Sequence, residues 1–326
     1  MGASDVWAPV ARALLGAAAF TPLDVARKAG LDPDQARRLW RALGFPPVAD
    51  DERLFTRSDV EILRAVRELI ETQSAHPDDV LQLTRVIGQS LARVADAQVT
   101  VSADRLERLR AEAVSDDAAL AELADRIEAL APSLEQFLGY VWRRHLLAAL
   151  LRSSAKPSES DRSLVVGFAD LVGFTAMSEA LNARELAETV ERFEAIAYEH
   201  IPERGGRVVK MIGDEVMFAS EDVAMAAEIA LALAEGYARD ADLPGVRVGL
   251  ASGPTLTWEG DLYGPTVNLA SRLVNLARPN TVLVSEELGK QLQADSRFAL
   301  HRLRSLSLRG IGRVHMWVLR GSPTEK

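Results

Sequence analysis

Two periodicities divide the chain. In residues 6–151 apolar positions return every three or four residues, the spacing of helices with one buried face, and no strand-like alternation interrupts them. The spacing predicts helices over 23–29 and 34–43, one beginning at Ser58, and others at about 79–95, 103–114, 117–130 and 134–151. Pro22 and Pro33 stand where a first helical turn tolerates proline. Ser58 and Glu61 have capping-box spacing and lead into Ile62, Leu63, Val66 and Leu69. The last helix carries Phe137, Leu138, Val141, Trp142, Leu146 and Leu150, and its run 146–151 reads as a buried helix face. From about residue 164 the period changes. Short β-prone runs at 164–170, 207–212, 215–219, 246–251, 281–285, 298–308 and 314–319 alternate with helical stretches at 183–202, 222–238, 266–276 and 286–292.

The fold class expected is therefore α+β: an all-helical domain over 1–151, then a second domain over 163–326. The second domain's order contains a β-α-α-β-β-α-β core, the ferredoxin-like, palm-type arrangement. Residues 152–162 are small, polar and broken by Pro157, which marks a linker. A length of 326 residues accommodates two ordinary domains, and no apolar run approaches the roughly 20 residues that span a bilayer. No secretory signal is expected, because the amino terminus lacks a basic flank and a continuous apolar stretch. The chain has no cysteine, which fits a cytoplasmic location and excludes thiolate metal sites. The net charge of −9 is shared, with 21 basic against 25 acidic residues in 1–162 and 17 against 22 in 163–326. Such a chain attracts no polyanion in bulk, so an anionic substrate needs local positive charge or metal.

The candidate chemistry lies in the second domain. The run Val165-Val166-Gly167-Phe168-Ala169-Asp170-Leu171 delivers one carboxylate to the end of a buried strand. Gly173-Phe174-Thr175 then opens a helix whose first N–H groups can hold a phosphate. A second apolar run, Val208 to Ile212, ends in a Gly213-Asp214 turn before Glu215-Val216-Met217-Phe218. Two such tips side by side would form a two-metal phosphoryl-transfer centre. Glu215, if it starts a strand, points away from Asp214 and stays outside the metal set.

These two motifs, with Gly260-Asp261-Leu262-Tyr263-Gly264-Pro265-Thr266-Val267-Asn268-Leu269-Ala270-Ser271-Arg272-Leu273 as a third, resemble the class III nucleotidyl cyclases over about 163–320. The resemblance implies an adenylate cyclase that makes 3′,5′-cyclic AMP and pyrophosphate from ATP, with two Mg²⁺ or Mn²⁺ ions per site. Asp170, Asp214 and the Leu171 carbonyl would hold the ions. Lys210 and Asp261 would read the adenine edge, with Glu259 close enough to compete for the second role. Asn268 would orient the ribose, and Arg272 would neutralise charge on the α-phosphate. Phe174 and Thr175 would lie against the triphosphate. Where relatives carry a lysine for the terminal phosphates, this chain offers Arg309, with Arg313 in reserve. Because the family divides each site between two subunits and this chain holds both sets, a homodimer is implied. The short stretch from Pro254 to Asp261 would reduce contacts between the subunits. A diguanylate cyclase, which shares the palm fold, would leave Asn268 and Arg272 unexplained.

In the helical half, Thr21-Pro22, Ala26 to Leu31, Arg38-Leu39-Trp40-Arg41 and Phe55 to Val60 resemble the helix-turn-helix of MerR-type regulators over 21–70. The alternative is therefore a DNA-binding regulator with a nucleotide-sensing cyclase-like domain. Nine basic and nine acidic residues in 21–70 give no basic face, so DNA binding is not expected and a regulatory role is. The signal is left open among a small molecule, a lipid and pH, the last resting on five scattered histidines.

Overall fold

The computed structural model describes residues 7–72, 76–154, 163–308 and 310–322. Contacts divide the chain into two compact units, Met1–Ser154 and Ala155–Lys326.

The first unit is helical: α1 (Ala8–Leu15), α2 (Pro22–Ala29), α3 (Pro33–Ala42), α4 (Arg57–Glu71), α5 (Pro77–Glu112) and α6 (Asp116–Ser154). Helix α2 starts in a capping box between Thr21 and Asp24 and stops at Gly30, whose φ of 74° is a left-handed geometry suited to glycine. Asp32 caps α3 by accepting from the Asp34 and Gln35 N–H groups. Around them Val25, Phe55 and Val60 form a small core against Trp40. Trp40 is also edge-on to Phe55, with ring centroids 4.8 Å apart.

Four expectations for this unit are corrected. Helix α4 is capped by Thr56 and Asp59 rather than by Ser58 and Glu61. The Asp59 carboxylate accepts from the Thr56 N–H at 2.7 Å and its hydroxyl at 2.8 Å, which places Ser58 inside the first turn. The four short helices expected beyond residue 79 are two long ones of 36 and 39 residues. No glycine or proline breaks residues 96–102, and Pro132 is carried inside α6. The only break falls at extended Ala113, after which the Ser115 hydroxyl accepts from the Ala118 N–H. Helix α6 also runs through Arg152 to Ser154, residues expected in the linker; 155–162 lie outside the described residues. Finally, 146–151 is no buried face: Leu146, Leu147, Leu150 and Leu151 are exposed, as are Phe137 and Trp142. No helix among the described residues is long and apolar enough to cross a membrane.

The second unit is built on a seven-stranded sheet. Its core elements are β1 (Ser163–Leu171), α7 (Phe174–Ala180), α8 (Ala183–Glu203), β2 (Arg207–Ile212), β3 (Glu215–Ser220), α9 (Val223–Arg239) and β4 (Val246–Pro254). They give the order 2-3-1-4 of the expected ferredoxin-like core. A hairpin of β5 (Leu256–Trp258) and β6 (Asp261–Tyr263) follows, then α10 (Pro265–Leu276), β7 (Thr281–Ser285) and α11 (Glu286–Leu292). Last come β8 (Phe298–Arg302), β9 (Leu306–Leu308), β10 (Gly312–Val314) and β11 (Met316–Gly321), and the whole sheet has the order β2-β3-β1-β4-β7-β11-β8. The single strand expected at 298–308 is therefore two. Gly310 and Gly312, at φ 83° and 95°, fold β9 back on β10 as a separate hairpin.

Strand alternation assigns the sheet two different coats. On one face Val165, Ala169 and Leu171 of β1, with Val246, Val248 and Leu250 of β4, pack under Phe193, Ile229, Leu233 and Tyr237. On the other, Val166, Phe168, Met217, Ala219 and Ala251 pack under Ala270 and Val274 of α10. Helix α10 lies so close to β4 that a Cβ on Gly249 would come within 2.2 Å of the Val274 nitrogen.

Candidate active site

Strand β1 is buried from Val165 to Ala169, and Asp170, its penultimate residue, interrupts that buried run. Pairing places Asp170 opposite Arg247 of β4 on one side and Glu215 of β3 on the other. Partners across a ladder project to the same face. Arg247, Asp170 and Glu215 therefore form one charged rung across three strands, on the face that α10 covers. Asp170 is 17% exposed, and its Oδ2 accepts from the Arg247 Nη2 at 2.5 Å. Leu171 points to the opposite face and its side chain is core.

Asp214 reaches the rung from the β2–β3 turn, where Gly213 takes φ 62°. The Leu171 N–H donates to the Asp214 carbonyl at 3.2 Å, joining the two strand tips. Burial raises the Asp170 carboxyl above its ordinary range; Arg247 opposes the shift and the nearby Asp214 charge adds to it. Glu215 is pushed up to about 7 by burial first, and then by the charges of Asp170 and Asp214. Strand alternation directs it away from Asp214, its neighbour in sequence. The register gives it a second neighbour: Glu215 is across the ladder from Asp170, so the two side chains share a face and feel each other's charge.

Lys210 of β2 and Asp261 of β6, fifty-one residues apart, form a half-buried ion pair, Nζ to Oδ2 at 2.5 Å. The other Asp261 oxygen accepts from the Leu262 N–H. Glu259 sits in the β5–β6 turn at φ 52°. Asn268 and Arg272 occupy successive turns of α10, both exposed. With Ser271, Gly310 and Ile311 they line a recess of about 410 Å³, whose lining includes neither Asp170 nor Asp214. The candidate residues thus form two groups, carboxylates with the Lys210–Asp261 pair and a separate Asn268/Arg272 recess. Phe174 packs against the core at the start of α7, where Thr175 is exposed. Arg309 lies outside the described residues, and Arg313 is exposed on β10.

Arg247 is the site residue that the sequence did not disclose. It lies 77 positions from Asp170, inside an apolar strand, and only the β1–β4 register brings them together. Its Nε is buried without a hydrogen-bond partner.

A sheet with two carboxylate tips, a basic–acidic pair on the neighbouring strands and an Asn-x-x-x-Arg helix defines a nucleotidyl cyclase domain. The chain belongs to that family. Residues 157–321 match the adenylate and guanylate cyclase catalytic domain, and residues 3–154 match the adenylate cyclase regulatory domain. An adenylate cyclase of Streptomyces coelicolor (strain ATCC BAA-471 / A3(2) / M145) is 37% identical, covering 92% of this chain and 85% of that one. One from Glutamicibacter nicotianae is 35% identical, over 94% of this chain and 80% of its own length. A pH-sensitive adenylate cyclase of Mycobacterium tuberculosis (strain CDC 1551 / Oshkosh) is 30% identical, over 92% and 78%. These matches favour a cyclase over the DNA-binding regulator weighed as the alternative.

Proposed function

We propose that the chain converts ATP to 3′,5′-cyclic AMP and pyrophosphate at sites shared by two copies of itself. The observation that carries this reading is the junction of two buried strands at which Asp170 and Asp214 meet. A mutually repelling, partly buried carboxylate pair is suited to a hard divalent cation. Among the described residues no cluster of three or more metal-binding side chains exists. Two carboxylates completed by substrate phosphates are the usual way of holding Mg²⁺, so the residues fit the ion. Asp170, Asp214 and the Leu171 carbonyl would hold two Mg²⁺ or Mn²⁺ ions, which lower the pKa of the ribose 3′-hydroxyl and take up charge from the leaving pyrophosphate.

The remaining roles fall to side chains. The 3′-oxygen forms a bond to the α-phosphorus as the bond to the β-phosphate oxygen breaks, and the hydroxyl proton leaves to solvent. Arg272 neutralises the charge gathering on the α-phosphate with a permanently charged fork. Asn268, one turn earlier on the same face of α10, fixes the ribose. Lys210 donates to an adenine ring nitrogen, and Asp261 accepts from the exocyclic amine. Phe174 and Thr175 border the triphosphate, and a basic residue at 309 or 313 contacts its end. The recess lined by Asn268 and Arg272 contains neither metal carboxylate. That separation supports completion of each site by a second copy of the chain. The helical unit regulates this assembly.

Replacing Asp170 or Asp214 by Ala should abolish cyclic AMP formation with either metal while circular dichroism stays unchanged. Substantial turnover by either folded variant would remove the two-metal assignment.

A further inference from the structure

Arg247 is placed by the ladder itself. It is the Cα partner of Asp170 in the β1–β4 pairing, and its Nη2 donates to the Asp170 Oδ2 at 2.5 Å. The two side chains are only 27% and 17% exposed, so solvent screens their attraction weakly. Its Nε is buried with no acceptor. A guanidinium recruited only to tie strands together would have its buried donors satisfied. This one leaves a donor unmatched while committing another to the carboxylate that the proposed function assigns to metal.

We propose that Arg247 competes with the divalent cation for Asp170 and holds down the metal affinity of the nucleotide-free protein. The inference rests on the metal reading of Asp170 and Asp214 and deepens it. A cation approaching Asp170 meets an oxygen already taken by a charge-assisted hydrogen bond, and a positive charge fixed beside it. Lys210 is neutralised by its own partner, Asp261, and leaves the balance unchanged. Against Arg247 stand Asp170, Asp214 and Glu215. The two divalent ions of the proposed site together with Arg247 would make five positive charges against at most three negative. Nucleotide triphosphate corrects the imbalance by bringing its own anionic oxygens. Metal therefore enters with nucleotide rather than ahead of it, and the free protein does not load idly with cation.

The test uses the full chain without nucleotide and Mn²⁺ as the probe, with bound ion measured by electron paramagnetic resonance or calorimetry. Arg247→Met keeps an apolar stem and removes both charge and donor. It should bind Mn²⁺ about tenfold more tightly than the unaltered protein, the size expected for losing one close charge. Arg247→Gln, a second neutral variant, carries the same expectation and guards against a folding defect in the first. Arg247→Lys should stay near the original affinity. Adding Asp170→Ala to the unaltered and neutral backgrounds should bring both to the same weak binding. Equal or weaker Mn²⁺ affinity in the folded neutral variants would overturn the competition while leaving the metal reading standing. Mn²⁺ binding that Asp170→Ala leaves unchanged in every background would overturn the metal reading, and the competition with it.

Discussion

Gly249 allows a test of how firmly the sheet sets the position of the Asn268/Arg272 helix. An alanine there would place its Cβ 2.2 Å from the Val274 nitrogen, 2.7 Å from the Ala270 oxygen and 2.8 Å from the Leu273 carbonyl carbon. All three are backbone atoms of α10, so no rotamer change relieves the clash. Ordinary contact begins at 3.4 Å, so helix and strand must separate by the difference, about 1.2 Å. Overpacking of this kind costs about 2 kcal/mol, which in a domain of this size lowers Tm by about 4–8 °C. The chemical cost should be larger. Asn268 and Arg272 travel with α10, and a displacement of about 1 Å at a reacting centre commonly costs about a hundredfold in rate. Gly249→Ala should therefore reduce cyclic AMP formation about a hundredfold while the protein stays folded at 25 °C. Turnover is read with purified protein, and Tm by scanning calorimetry. Gly139→Ala in α6 is the control, since its added Cβ would meet nothing closer than 3.6 Å. Unchanged turnover and Tm in Gly249→Ala would refute the premise that α10 is clamped by its backbone against β4.

Three other outcomes are expected. Mixing inactive Asp214→Ala with inactive Arg272→Ala should restore activity to about a quarter of the original, because about half the dimers are mixed and each of those has one intact site; no recovery after proven subunit exchange would place each site within one chain. Replacing Lys210 and Asp261 together, so that neither is left as an unpaired charge, should lower ATP turnover and reduce the preference for ATP over GTP at least about tenfold, whereas an unchanged ratio would move base reading elsewhere. Tyr237→Phe removes a fully buried hydroxyl that donates to the Phe193 carbonyl at 2.8 Å; denaturant unfolding should show a loss of about 1 kcal/mol with turnover unaffected, and a large loss of activity would show that the α8–α9 face does more than carry the core.

The strand tips were legible in the sequence because each is an apolar, β-prone run interrupted by an aspartate with a glycine within three residues. Cap residues were half legible. Thr56/Asp59 and Ser58/Glu61 both have the right spacing, and only the bonds that Asp59 makes decide between them. The long helices were misread as four because loss of apolar periodicity resembles a break, while backbone hydrogen bonds continue wherever no residue forbids them. Arg247 and the pairing of Glu215 with Asp170 could not be read, since both follow from strand register. Register depends on partners 45 and 77 residues away from Asp170 in sequence. The exposed apolar side of α6 was invisible for a related reason: sequence shows that a stripe is apolar, not what covers it.

The rung of Arg247, Asp170 and Glu215 ties correct folding to competence. Side chains alternate along β1, so a slip of one residue would exchange Asp170 for Ala169 or Leu171 in that rung. The carboxylate would then be driven among Phe193, Tyr237 and their neighbours, where an unpaired charge is not tolerated. A single error in strand alignment therefore forfeits site and core together. Among molecules that fold at all, the alignment needed for chemistry is already guaranteed, and a one-residue insertion or deletion within β1 is the lesion this design can least absorb.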